Sequence, residues 1–250
     1  MSTRFRVSDV PGDRPLVEKC GDPAAIAREA AALRALRGRA WLPELVAEEP
    51  GRMVSTRLPG APRPVTTVAP AELTRLGALL REVHESRRGP AGGLWWWEAP
   101  ARSLADYRRA RARDTEAMLA GGPDAGLGLS ALGAPGPVDD AAEPFRLLHG
   151  DLVESNVVWG PGGPGLVDWE FSRMGDPAED LAYLIELNGL SAAGAAAVVA
   201  GYALEGMEAR IGRWRPLVAA DAGAWYLAQG MDAEGRALLR RARDLVDRMP

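Results

Sequence analysis

The sequence has almost no lysine. Lys19 stands alone among 250 residues in which every other basic side chain, 29 in all, is an arginine. Cysteine is as scarce: the single Cys20 excludes an intrachain disulfide and fits a reducing, cytoplasmic setting. No apolar run reaches the length that spans a bilayer, which excludes a transmembrane helix, and the opening MSTRFRVSDVPGDRP has no apolar core of the signal-peptide kind. Positive charge is not in excess either. A formal net charge of −4 argues against nucleic acid as the main partner. What remains is the composition of a globular protein, 47% hydrophobic and 26% charged, long enough to bury a substantial core in one domain or two lobes.

A lone lysine in a protein that uses arginine everywhere else is either an accident of composition or a residue kept where a compact point charge is needed and a planar guanidinium cannot substitute. PLVEKC (15–20) reads as a short strand carrying Lys19. A helix follows over 23–38, opened by Asp22 with Pro23 in its first position and stopped by Gly38. Glu29 lies near its middle. Strand lysine and helix glutamate can form an ion pair pointing into a cleft, or an unremarkable pair on the surface.

Along the chain, residues 1–50 read as strand, turn, strand, helix and loop, and GRMVSTRLPG (51–60) as one more strand. Helices are predicted over 69–86, over 101–120 and from about 178 to the end. Residues 120–143, rich in Gly, Pro and Ala, read as a long irregular loop. The arginine-rich stretches 102–114 and 236–248 read as solvated faces of amphipathic helices. Three consecutive tryptophans, Trp95 to Trp97, cannot all face one core, so at least one should be exposed or lie against a ligand, a partner or the irregular loop.

The densest chemistry lies in LLHGDLVESNVVWGPGGPGLVDWE (147–170). Val157–Trp159 and Leu166–Val167 read as strands joined by a turn over 160–165, so the hairpin brings Asn156 and Asp168 side by side at one end. Asp151 sits on the loop feeding that end. Two carboxylates and an amide oxygen there suit a hard divalent cation. The glycines of GPGGPG formally match a dinucleotide fingerprint, but they run into a strand rather than a helix, and two prolines remove N–H donors. A hairpin turn is the better reading.

HGDLVESN, then LVDWE, then GDPAEDLA resembles the aminoglycoside phosphotransferase and choline kinase superfamily, with its protein-kinase-like fold. The resemblance covers Lys19 to about Leu184. It implies an α+β, bilobal enzyme: a small β-rich lobe over residues 1–60, and a mainly helical lobe over 61–250 with a catalytic loop at 149–156 and a metal-binding hairpin at 156–170. By that resemblance Asp151 receives the acceptor's proton, Asn156 and Asp168 hold Mg2+, Lys19 contacts the ATP phosphates, and Glu29 pairs with it. The backbone around Thr56, Arg57 and Leu58 would bind adenine. His149 would brace the loop, His84 would pack or cap, and Asp176 and Asp180 would hold loop backbone.

One departure stands out. Only eighteen residues precede Lys19, room for one strand and a turn where the family usually has two strands and a phosphate-covering loop. Either the chain lacks that cover or its start lies too late. The implied activity is ATP- and Mg2+-dependent phosphorylation of an alcohol on a small molecule such as an aminoglycoside, an amino sugar or a choline-like compound. Two alternatives stay open. One is phosphorylation of Ser or Thr in a peptide natural-product precursor, with a partner protein; the other is a kinase-fold binding protein without turnover.

Overall fold

The computed structural model describes residues 6–12, 14–89, 103–122, 127, 129 and 145–249. Trp95–Trp97 and most of the 120–143 segment lie outside the described residues.

The chain begins with a four-stranded antiparallel sheet, β1 (Arg6–Val10), β2 (Leu16–Cys20), β3 (Leu45–Glu49) and β4 (Arg52–Thr56), in the order β1-β2-β4-β3. Lys19 lies on a central strand, opposite Val7 on one side and Met53 on the other. Helix α1 (Pro23–Ala35) follows β2 directly. Asp22 caps it by accepting from the Ala25 N–H at 2.8 Å, and Pro23 opens it, as the sequence predicts. Its buried residues Ile26 and Leu33 belong to one hydrophobic cluster with Leu42 and Met53, and Glu29 is buried on the same helix.

Strand β3 corrects the reading of that segment as loop. LVAEE alternates poorly because an irregularity between Leu45 and Ala47 leaves Val46 unmatched to β4, so the period-two signal is broken. A Pro50-Gly51 turn, with Gly51 at φ +78°, closes the β3–β4 hairpin.

The remainder is mostly helical: α2 (Pro70–Ser86), α3 (Leu104–Leu119), α4 (Pro177–Leu187), α5 (Ala192–Tyr202), α6 (Met207–Ala228) and α7 (Asp232–Val246). Helix α2 packs on α5, and α6 on α4, α3 and α7. Two small sheets thread between them. One contains β5 (Ala61–Pro62), β8 (Val157–Gly160) and β9 (Gly163–Leu166) in the order β5-β8-β9, and the other β6 (Arg88–Gly89), β7 (Phe145–Leu148) and β10 (Arg173–Gly175) in the order β10-β7-β6. β5, β6, β7 and β10 are two to four residues long, too short to carry any period, and the sequence did not indicate them. The architecture is α+β, a small antiparallel sheet region and a largely helical remainder.

The arginines of 102–114 are a partial correction. On α3, Arg108 is fully buried and Arg111 turns inward to bridge Glu179 and Asp221, whereas Arg236 on α7 is exposed as expected. Helical periodicity identifies a polar face but cannot say that two further helices, α4 with Glu179 and α6 with Asp221, supply carboxylates to it.

Candidate active site

The β8–β9 hairpin forms with a tight Pro161–Gly162 turn, so the glycines are turn and strand residues and the dinucleotide match is a coincidence of spelling. Val157 pairs with Leu166, and one step further the Val167 N–H donates to the Asn156 carbonyl at 3.1 Å. That brings Asn156 and Asp168 to the same end of the hairpin. Their side chains then take different partners. The Asn156 amide N donates to the backbone carbonyl and to Oδ2 of Asp151, 2.9 Å each. Both its hydrogens being directed there, the side-chain Oδ1 of Asn156, which also accepts from Ser155 Oγ at 3.3 Å, is the atom that can face a cation.

The loop carrying Asp151 is held by groups beneath it. Asp180, fully buried near the start of α4, accepts from the backbone N–H groups of His149 (2.7 Å) and Gly150 (2.9 Å) and bonds His84 Nε2 at 3.0 Å. Burial pushes the Asp180 carboxyl up, but the His84 bond and nearby positive charge outweigh it and leave the pKa below the usual range. The sequence placed Asp180 in this role; it did not connect it to His84, which comes from α2 and also meets the Tyr202 hydroxyl at 3.0 Å. His149 braces the loop as expected. Its Nδ1 accepts from the Asp151 N–H (3.3 Å), and its Nε2 faces the Val167 carbonyl at 2.9 Å, which puts the hydrogen on Nε2.

Gly150 is the tightest point. It sits at φ +86°, and a Cβ there would lie 2.2 Å from the Phe171 carbonyl oxygen and 2.3 Å from Arg173 Nη1. Gly150→Ala is therefore expected to destabilise the fold by about 2–4 kcal/mol, the strain of a left-handed alanine plus overpacking. Thermal melting checks it, and an unchanged Tm would contradict the placement of this loop.

Lys19 is enclosed by three carboxylates. Its Nζ lies 2.7 Å from Glu29 Oε2, 2.6 Å from Asp168 Oδ1 and 3.2 Å from Glu170 Oε2, and Lys19 itself is only 6% exposed. Three rotatable N–H donors meet three acceptors from α1 and from the segment after β9, a geometry that suits an ammonium and not a flat guanidinium. Burial lowers the lysine's pKa, but the three carboxylates together hold it well above its ordinary value. The surface ion-pair alternative is excluded by the burial of both Lys19 and Glu29.

Glu170 was not assigned to the site from sequence. It and Asp168 flank Trp169, which is fully buried against the His149 ring (centroids 4.6 Å apart), and both carboxylates turn to Lys19. The signal was available in its two-residue spacing from Asp168. Arg28 of α1 donates from Nε to the Glu170 carbonyl at 3.2 Å, tying helix and loop together. Asp168 itself has φ +67°, the left-handed region in which Asp and Asn are the tolerated side chains.

The electrostatics of this end favour a cation. Glu29, Asp168 and Glu170 offer oxygens within 4.8 Å of one another around a single ammonium. Burial, with the neighbouring negative charges added, raises Glu29, pushes Glu170 up to about 7 and raises Asp151, for which Asp168 is the repelling carboxylate. Surplus negative charge on hard oxygen donors is the chemistry that Mg2+ relieves, so the residues present fit that ion.

Lys19→Arg is expected to lower turnover by about tenfold or more while conserving charge, since the guanidinium cannot occupy the same three-carboxylate pocket. Steady-state kinetics alongside a melting curve test it. Wild-type turnover in a normally folded variant would remove Lys19 from the chemistry.

Thr56 and Arg57 close the four-stranded sheet at the end of β4. Their N–H groups donate to the carbonyls of Glu44 and Pro15, 2.9 Å each, and Arg57 pairs with Asp9 at the surface. Leu58 is half-buried, with its side chain against Gly165 of β9.

Sheet, helix, lysine and hairpin together define a protein-kinase-like fold in which the Asp151 loop and the Asn156–Asp168 hairpin lie beside the buried lysine. Solved structures of that fold superpose along nearly the whole chain. Choline kinase LicA from Streptococcus pneumoniae, a protein also solved with AMP, matches with TM-score 0.69 at 16% identity over 98% of this chain and 94% of that one. Macrolide 2'-phosphotransferase MphH from Brachybacterium faecium matches with TM-score 0.68 at 18% identity over 98% and 89%. The chain belongs to the phosphotransferase enzyme family, whose model matches residues 3–217. Among curated proteins, viomycin phosphotransferase of Streptomyces vinaceus is 30% identical over 199 residues, 75% of this chain. The chain spans 65% of that relative's length.

Proposed function

We propose that this protein transfers the γ-phosphoryl group of ATP to a hydroxyl of a small molecule, with the nucleotide lying between residues 1–60 and the helical remainder. The observation that carries this reading is the convergence of Lys19, Glu29 and Asp168 on one buried contact beside the Asp151–Asn156 pair. A β-strand with the helix that follows it, and a hairpin far from both in sequence, meet there. The family match and the relatives' printed activities support the same class.

In this reading Asp151 faces the acceptor, and its elevated affinity for a proton suits a group that takes one from a hydroxyl as the oxygen attacks phosphorus. The new P–O bond forms in line with the bond that breaks to ADP, so positioning carries most of the catalysis. Asn156 and Asp168 would hold Mg2+, which when bound neutralises charge on the transferring phosphate. Lys19, fixed by Glu29, would meet the α- and β-phosphates. Adenine would be bound by the backbone around Thr56, Arg57 and Leu58.

The test is an ATP-consumption screen with Mg2+ over viomycin, a set of aminoglycosides, choline and simple amino sugars. Acceptor-dependent ADP release that stops when EDTA is added is the expected result. Nucleotide binding with no acceptor-stimulated turnover across the panel would favour the binding-protein alternative.

A further inference from the structure

We propose that Arg173 is a positioning residue for the transfer step, strapping the Gly150–Asp151 peptide to the loop that follows Asp168. The inference rests on the reading of Asp151 as the acceptor-facing base. Arg173 opens β10, which pairs with β7 so that Arg173 lies opposite Leu148, one residue before the catalytic loop. Its guanidinium is buried and touches four partners. Nη1 reaches the carbonyls of Phe171 (3.0 Å) and, more loosely, Gly150 (3.4 Å); Nε donates to the Tyr107 hydroxyl (3.1 Å); and Nη2 pairs with Glu179 (2.6 Å).

The anchor is as elaborate as the strap. Glu179 also accepts from the Tyr107 hydroxyl at 2.6 Å and from Arg111 Nε at 3.2 Å. Arg111 continues to Asp221 at 2.8 Å, and Asp221 accepts from Thr115 (3.0 Å) and Tyr183 (3.2 Å). Two guanidinium groups and two carboxylates thus neutralise one another out of water, drawing on α3, α4 and α6. Burying such a set is expensive, and stability alone is poorly served by it. What it supplies is orientation. A planar fork that simultaneously binds two backbone carbonyls and a carboxylate permits only one relative placement of the Asp151 loop and the Asp168 loop. Asp180 holds the same loop by its N–H groups from below, so Arg173 completes a clamp by taking the carbonyl side. Its charge also pulls down the Asp151 carboxyl, which burial raises.

Arg173→Lys keeps the charge and loses the fork; Glu179→Gln keeps the fork and loses its charged anchor. With folding followed by thermal melting, hydrogen–deuterium exchange should accelerate about tenfold or more over residues 147–156 in Arg173→Lys and less in Glu179→Gln, with the other helices unchanged. Turnover, measured with whichever acceptor the screen identifies, should fall about ten- to a hundredfold with the KM for ATP unchanged. A positioning role also predicts non-additivity: in an Asp151→Asn background, Arg173→Lys should cost little further rate. Unchanged exchange in the 147–156 peptide of both folded variants overturns the strap. Rate losses that multiply in the double variant overturn the positioning role and leave only a structural one. An active Asp151→Asn single variant would instead sink the reading of Asp151, while the exchange result would still stand for the strap itself.

Discussion

Asp151→Asn should lower kcat by about two to four orders of magnitude while leaving the affinity for magnesium-ATP near wild type. The expectation follows from where the residue sits. Its carboxylate is half-buried, and Oδ2 accepts from the Asn156 amide; a carboxamide oxygen can make the same bond, so the loop should keep its shape. Burial and the Asp168 charge already disfavour a second negative charge at this point, so a neutral isostere costs folding little. What it removes is the basic oxygen. Nucleotide titration and acceptor-dependent ADP release, on the same preparation, separate the two effects. Turnover at the wild-type rate would mean that another group takes the proton.

Asp168→Asn should fail in a different way. The variant removes one of three carboxylates around Lys19, so the repulsion felt by Glu29 and Glu170 is relieved and the melting temperature without metal should stay level or rise. Asparagine tolerates the left-handed backbone at this position at least as well as aspartate, so no strain is added. The loss appears on adding Mg2+ with a non-hydrolysable ATP analogue. Wild-type protein bound at a hundred times its dissociation constant gains about 2.7 kcal/mol from the ligand, and most of that stabilisation should be missing in the variant. A variant that retains the full metal-dependent shift would place the cation on other oxygens. Side by side, the two aspartates test a division of labour: Asp151 for the acceptor, Asp168 for the nucleotide's charge.

How much of this was legible beforehand differs by residue. The Lys19–Glu29 pair could be reached because a strand and the following helix are connected by only a capped turn, and burial then chose between a cleft and a surface pair. Asn156 and Asp168 could be brought together because a hairpin is a local object whose register follows from its turn. Asp180 was placed correctly, as a buried acid accepting loop N–H groups. Glu170 was overlooked although its letter stood in the motif, since the turning of two alternate carboxylates to one ammonium depends on Trp169 being buried between them. Arg173 and Asp221 carried no reading, and Tyr107 and Arg111 fell in a stretch read as a solvated helix face, whereas the structure turns both inward. Their bonds span up to 110 residues of sequence, and no local pattern encodes which carboxylate a buried arginine will find.

By itself, then, the sequence determined the elements with a strong period or a firm cap, the hairpin that carries Asn156 and Asp168, and the family to which its motifs belong. Those depend on interactions within a few residues, where propensity, capping and turn chemistry act directly. Only the tertiary structure decided that three carboxylates share one lysine, that short strands such as β7 and β10 flank the Asp151 loop, and that a neutral quartet of buried charges stands behind it. Each of those results from packing distant segments until buried polar groups found partners, because leaving any of them unpaired away from water costs more than the chain's own local preferences can outweigh.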